Sequence, residues 1–188
     1  MNYKKSEAKQ AARVQFRGVW AAITTPFTPD DRLDEAGLRR NMRQFTDVLH
    51  VDGIFCAGTM GEFWALTKEE RKRVTEIVVE ESHGKCKVIA HTGHHSPNET
   101  IDLTRHAESA GADFAIVINP YYPAAGEQQI YEWFETVASR VNIGLWMFDT
   151  PFSGIALSVE LTARIAALEN ICGLKCSRPI EHYAKVKN

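Results

Sequence analysis

No apolar stretch in this chain approaches the ~18 consecutive residues that a membrane-crossing helix needs, so nothing in it reads as a bilayer span. No C-x-x-C pair occurs. The four cysteines, Cys56, Cys86, Cys172 and Cys176, are spaced too irregularly to suggest a zinc site. Three of them sit in apolar, strand-like stretches where a free thiol acts as a small hydrophobe, and they read as reduced thiols of a cytoplasmic protein. Charge of one sign is also missing: the formal net charge of -2 gives no reason to expect a nucleic-acid partner. The basic residues Lys4, Lys5, Lys9, Arg13 and Arg17 are joined only by Ala11-Ala12, too little for the apolar core of a secretory leader. Residues 1–16 are therefore expected to be an N-terminal extension, a frayed tail or an extra helical arm, ahead of one domain over 17–188.

What is present is a rhythm. Short apolar runs, Gly18-Thr24, Gly53-Cys56, Lys87-His91, Phe114-Ile118, Ile143-Phe148 and Ile171-Lys175, alternate with longer amphipathic segments. The runs are rich in Val, Ile and Phe and show no clean polar alternation, as expected of strands buried on both faces of a parallel sheet. Helix starts lie between them. Thr67-Lys68-Glu69-Glu70 and Ser96-Pro97-Asn98-Glu99 read as capping boxes, and Asp34 and Ser158 as N-caps. In the helix from Ser96, Ile101, Leu103, Ala107 and Ala110 approximate one apolar stripe, and Gly111 is its C-terminal stop. The order is strand-helix five times and then a sixth strand, which implies parallel strands with right-handed crossovers. A doubly wound open sheet and a closed (β/α)8 barrel both fit. No G-x-G-x-x-G follows the first strand, which counts against a dinucleotide-binding open sheet. A full barrel takes about 250 residues. With 188 residues and six strands, this chain is read as an incomplete (β/α)8 TIM barrel, and the natural polypeptide is expected to continue for about two more β/α units.

Active sites of parallel β/α proteins lie at the carboxyl ends of the strands, so those ends carry the candidates. Strand six ends Gly173-Leu174-Lys175-Cys176-Ser177. A lysine inside an apolar strand is costly as an ammonium, and the same burial makes its amine nucleophilic toward a carbonyl carbon. Position alone also allows a lysine that snorkels past the strand end. Strand two ends Gly58-Thr59-Met60-Gly61-Glu62, where glycines let backbone amides approach an anion such as a carboxylate. Strand four ends Asn119-Pro120-Tyr121-Tyr122-Pro123, whose tyrosines suit an interface or a proton relay. His91, His94 and His95 after strand three invite a metal, but no carboxylate or cysteine lies at ligand spacing, so no metal is expected.

Together these stretches resemble the dihydrodipicolinate synthase/N-acetylneuraminate lyase family of class I aldolases, from about Arg17 to the end of the chain. The resemblance implies a (β/α)8 barrel, usually assembled as a tetramer of two tight dimers. It also implies that Lys175 forms a Schiff base with a 2-oxo acid. Gly58-Thr59-Met60-Gly61-Glu62 resembles the family's G-[TS]-T-G-E loop for the substrate carboxylate, with Thr59 in its hydroxyl relay. Tyr122 matches the tyrosine that reaches a neighbouring subunit's site. Three departures stand out. Phe148 occupies the place of the tyrosine in the family's strand-five Tyr-Asn-x-Pro, so it has no proton to move. Met60 replaces the second threonine of the loop. Pro151-Phe152-Ser153-Gly154 lacks the arginine that dihydrodipicolinate synthases carry there. These changes argue against dihydrodipicolinate synthase itself.

The reading is a lyase of aldolase or dehydratase type acting on pyruvate or a similar 2-oxo acid. Lys175, Thr59 and Tyr122 are its catalytic residues, and Gly58, Met60, Gly61, His91 and Phe148 line the substrate site. His91 would substitute for the missing phenol. No cofactor, nucleic acid or membrane is implied, and the chain is expected to form a homo-oligomer. The alternative is a non-catalytic relative that binds a 2-oxo acid or serves as an assembly subunit, favoured by Phe148 and Met60 and disfavoured by Lys175.

Overall fold

A computed structural model describes residues 2–123 and 125–187. Among them six strands form one parallel sheet in chain order: β1 (Trp20–Ala22), β2 (Gly53–Cys56), β3 (Lys87–His91), β4 (Phe114–Ile118), β5 (Gly144–Asp149) and β6 (Ile171–Cys176). The order contains no reversal, so the sheet has no switch point and the doubly wound alternative falls. Helices α2 (Glu35–Arg43), α3 (Lys68–Ser82), α4 (Pro97–Ala110), α5 (Glu127–Ser139) and α6 (Val159–Ala166) connect the strands. α1 (Ala8–Gln15) precedes them and α7 (Ile180–Lys187) follows.

The sheet is curled. Four inter-strand steps separate β2 from β6, about 19 Å across a flat sheet. Yet Lys175 Nζ on β6 lies 5.7 Å from the Phe55 ring centre on β2. Two apolar layers result. Ile54, Ala90, Val117, Leu145, Met147 and Ile171 face the helices, while Phe55, Ile89, Phe114, Ile116, Ile118 and Phe148 fill the lumen. This is a partial (β/α)8 barrel with about six of eight strands. β2 and β4 are buried throughout, as the unbroken apolar runs predict. β1 and β6, the sheet's edges, are largely half-exposed, because each lacks a neighbour on one side.

Asp34, Thr67 and Ser158 cap their helices through Gly37, Glu70 and Leu161 amides, and Gly111 closes α4 in the left-handed region. The capping box expected at Ser96 is not made. Its backbone amide donates to His94 Nδ1 at 3.0 Å, and Glu99 turns instead to Lys68 at 2.9 Å. The α4 stripe also differs: Thr100 and Thr104 are fully buried and Ala110 is not, because each threonine hydroxyl satisfies itself on a carbonyl one turn back. Among the described residues, those before Arg17 are docked on the barrel rather than frayed. Lys5 and Lys9 donate to the Ala138 and Ala166 carbonyls at the C-terminal ends of α5 and α6, where the helix dipole favours a cation. Phe16 stacks between Trp20 and Trp146 and so closes the lower end of the lumen.

One irregularity decides which way the chemistry points. Leu145 pairs with Ile171, but Trp146 pairs with Gly173, so Cys172 is an extra residue in β6. Ile171 faces the helices, and simple alternation from it would turn Lys175 outward. The bulge resets the phase: Leu174 packs toward the helical layer and Lys175 enters the lumen beside Phe148. Gly173 is required at this step, since a Cβ there would lie 2.8 Å from the Trp146 ring. We expect Gly173→Ala to cost about 1–3 kcal/mol in urea denaturation, and a loss below about 0.5 kcal/mol would mean the bulge is not held by that ring.

Candidate active site

Lys175 sits half-buried at the upper end of β6, its ammonium 3.9 Å from the Phe148 ring centre and donating to Ser177 Oγ at 3.1 Å. Two effects oppose each other there. An aromatic face favours the cation by about 0.5–2 kcal/mol, whereas burial disfavours it. Burial wins, and the lysine pKa lies below its ordinary value, with the Cys176 thiol pulling weakly the other way. Leu174 packs toward the helical layer, and Cys176, paired with Asp149, alternates with Lys175 away from the lumen. The lysine opens onto a lumen cavity of about 290 Å³ walled by Phe55, Trp146 and Ile116.

The loop after β2 is a tight turn bracketed by Ala57 and Glu62, both in the left-handed region that costs a side-chain-bearing residue energy. Gly58 is enclosed by the Phe55 ring, which a Cβ would meet at 2.3 Å. Gly61 offers its carbonyl to the buried Thr25 hydroxyl at 2.8 Å. Among the described residues the amides of Thr59, Met60 and Gly61 donate to no internal acceptor, which leaves them for a ligand. Thr59 is half-buried on the rim and the Met60 side chain points out to solvent.

His91 is buried at the end of β3, its ring 4.3 Å from that of Phe63 and 6.3 Å from that of Phe148. The Arg71 guanidinium donates to the His91 carbonyl at 3.0 Å and lies 3.4 Å from Nδ1. Burial first, and this neighbouring cation second, hold the imidazole pKa well below its usual range, against a smaller opposing pull from the Ala57 backbone. His91 Nε2 is buried without a hydrogen-bond partner, as is Arg71 Nε. Tyr122 does not join Lys175; it is 81% exposed on the β4–α5 loop. Thus Lys175, Phe148 and His91 converge in the lumen, the Gly58–Gly61 loop lies at its rim, and Tyr122 projects away.

Sequence reasoning missed two features. Arg71 lies on the buried face of α3 with Val74, Thr75 and Val78, so an arginine in an apolar stripe was the available signal. The second is a fully buried Asp149, held by Arg178 Nε at 2.8 Å and His182 Nε2 at 2.9 Å. Arg178 also donates to Ser153 Oγ and the Ile155 carbonyl, bolting the β6–α7 turn to the loop after β5. Asp149, His182 and Cys176 stand close enough to ligate a cation. Both Asp149 oxygens are occupied, however, and a guanidinium beside them repels a divalent ion, so the trio does not fit a metal. Breaking the bolt with Arg178→Met leaves a buried carboxylate short of its main partner. We expect a loss of about 3 kcal/mol by chemical denaturation; a variant as stable as wild type would show that His182 suffices.

The family model for the dihydrodipicolinate synthetase family matches residues 15–188. A 4-hydroxy-tetrahydrodipicolinate synthase of Methanothrix thermoacetophila is 42% identical over 161 residues, 85% of this chain and 54% of that protein. The dihydrodipicolinate synthase structure from Aquifex aeolicus superposes with a TM-score of 0.84 at 34% identity, covering 91% of this chain and 59% of the other. YagE, a prophage protein of the same family from E. coli K12 solved with pyruvate, gives 0.82 at 33%, covering 91% and 58%. The N-acetylneuraminate lyase of Mycoplasma synoviae gives 0.84 at 26%, covering 92% and 59%. The chain spans about half the length of the curated relatives it matches.

Proposed function

This chain belongs to the dihydrodipicolinate synthetase family, and from that premise we propose that its protein is a lyase of aldolase or dehydratase type in which Lys175 forms a Schiff base with pyruvate or a similar 2-oxo acid. The observation that carries the reading is the bulge at Cys172, which turns a pKa-depressed lysine into the lumen beside Phe148. The amine attacks the C2 carbonyl carbon, water leaves, and the protonated imine withdraws electrons from C3, so that a bond at C3–C4 forms or breaks. The open amides of Thr59, Met60 and Gly61 hold the carboxylate, with the Thr59 hydroxyl beside them. Gly58 keeps the turn tight. YagE's bound pyruvate supports the substrate class by similarity.

Protons need another carrier, because Phe148 has none. His91 is lumen-facing, close to Phe148, and has a ring nitrogen with nothing to bond. We assign it the relay, acting directly or through a water. Tyr122, exposed on its loop, serves a neighbouring subunit, in keeping with the preference of tyrosine for interfaces. The protein is then a homo-oligomer, dimer or tetramer, in the cytoplasm. The sequence relatives that match well are named as synthases, but Phe148, Met60 and Phe152 set this chain apart from dihydrodipicolinate synthase itself. The test is borohydride reduction of the full-length protein with pyruvate, read by intact mass. One stable adduct per chain is expected; no adduct with any of several 2-oxo acids would instead favour a non-catalytic binding or assembly role.

A further inference from the structure

Resting on the Schiff-base reading, we propose that the second reactant of this site is an uncharged apolar aldehyde, aromatic in preference, and not an aldehyde bearing its own carboxylate. The rim at Thr59 opens into a cavity of about 270 Å³ lined by Thr59, Phe63, Trp64, Ile118, Tyr121 and Phe152. That volume suits a single substituted ring, and apart from the Thr59 hydroxyl and the Tyr121 phenol its walls are ring faces and an aliphatic chain. Thr59 ties the cavity to the carboxylate loop. Phe63 ties it to the reacting centre, through His91 at 4.3 Å and then Phe148, whose ring touches Lys175.

Charge points the same way. A second carboxylate would need a free cation on the cavity wall, and none of the six lining residues supplies one. Phe152, 71% exposed at the start of the loop after β5, presents a ring there. Arg178, which does reach that loop, is held by the buried Asp149. Arg71 lies 5.5 Å over the Phe63 ring and lines an adjoining cleft with Lys68, His94 and Glu99, on the far side of the Phe63, Trp64 and Tyr121 walls that the two spaces share. One unsatisfied polar atom near the cavity is the buried His91 Nε2, next to Gly93 and Ile118. As a neutral imidazole nitrogen it suits a carbonyl or hydroxyl oxygen. An apolar pocket with few polar points is the usual form of a site for such a ligand.

The chemistry balances without a further reagent. The imine loses a C3 proton to become an enamine. C3 attacks the aldehyde carbon, a C–C bond forms, and the carbonyl π pair becomes an alkoxide. The proton taken from C3 is the one the alkoxide gains, and water then hydrolyses the imine to release a 4-hydroxy-2-oxo acid and free Lys175.

The experiment has two independent arms on the full-length protein. Borohydride trapping with pyruvate alone reports the Schiff base. Pyruvate-dependent consumption of benzaldehyde is then compared with that of succinic semialdehyde, with kcat/KM for each. We expect benzaldehyde to be preferred by on the order of 10²-fold, and Phe152→Arg to lower that preference about tenfold or more while pyruvate trapping is unchanged. Trapping with no preference, or with preference for succinic semialdehyde, overturns the inference and leaves the Schiff-base reading standing. So does a result in which Phe152→Arg and Trp64→Ala alter only the oligomeric state, since the cavity would then be filled by a second copy. Absence of trapping removes both.

Discussion

Full-length protein carrying Lys175→Ala is expected to show no pyruvate adduct after borohydride reduction, where wild type gains one. The loss should be complete, because an alanine has no amine and the other buried or paired lysines lie elsewhere than the lumen. Lys5 and Lys9 cap helix ends, while Lys68, Lys72, Lys85 and Lys87 are paired with carboxylates. An undiminished adduct in the variant would move the nucleophile to another residue. A second readout separates a reactive lysine from a structural one. Burial lowers the Lys175 pKa in the folded protein, so the folded state binds its proton less well than the unfolded state. The cost of keeping the ammonium is fully present below the lowered pKa, declines as pH rises from there, and is gone above the ordinary lysine value of 10.5. Lys175→Met should therefore melt higher than wild type at neutral pH, with the difference shrinking toward alkaline pH. A lysine kept at a cost to stability fits a catalytic group; one whose removal destabilises the fold does not.

Much of this arrangement was legible in the residues themselves. β2, β3 and β4 coincide with their apolar runs, because a strand buried on both faces needs side chains that all tolerate burial. The caps at Asp34, Thr67 and Ser158 were legible because a short polar side chain before an amphipathic run has a local job. The box at Ser96 failed because His94 and Lys68 competed for its two partners. The bulge at Cys172 was not legible: it arises from the match of Gly173 to the Trp146 ring on a different strand, a contact that sequence spacing does not encode. The Asp149–Arg178–His182 bolt is hidden for the same reason, since Asp149 stands 29 residues from one partner and 33 from the other and meets them only when β6 pairs with β5. The lumen position of Lys175 followed from family likeness, and the physical cause became visible only with the register.

Phe148→Tyr should accelerate imine formation. The ring lies directly under the Lys175 ammonium, and at 2% exposure it has no alternative position to relax into. A phenol on the same frame would present an acid and base to the carbinolamine that forms when the amine adds to pyruvate. General acid–base help is typically worth about 10²–10⁴-fold, so the rate of trapping, measured by quenching at timed intervals, should rise within that range if wild type has no substitute. A smaller rise has its own meaning, because His91 lies 6.3 Å away ring to ring with a free nitrogen. If His91 already carries the proton, His91→Gln should slow trapping in wild type and have little effect in the Phe148→Tyr background. The added hydroxyl must also be accommodated. Phe148 meets the Phe55 ring edge-on at 6.3 Å, the same distance as His91, and a buried phenol without a partner would cost about 1–3 kcal/mol. The variant should therefore be less stable in urea and faster in trapping. A variant that is destabilised yet traps no faster, in a protein where His91→Gln is also silent, would remove both residues from the proton path and leave bound water as the carrier.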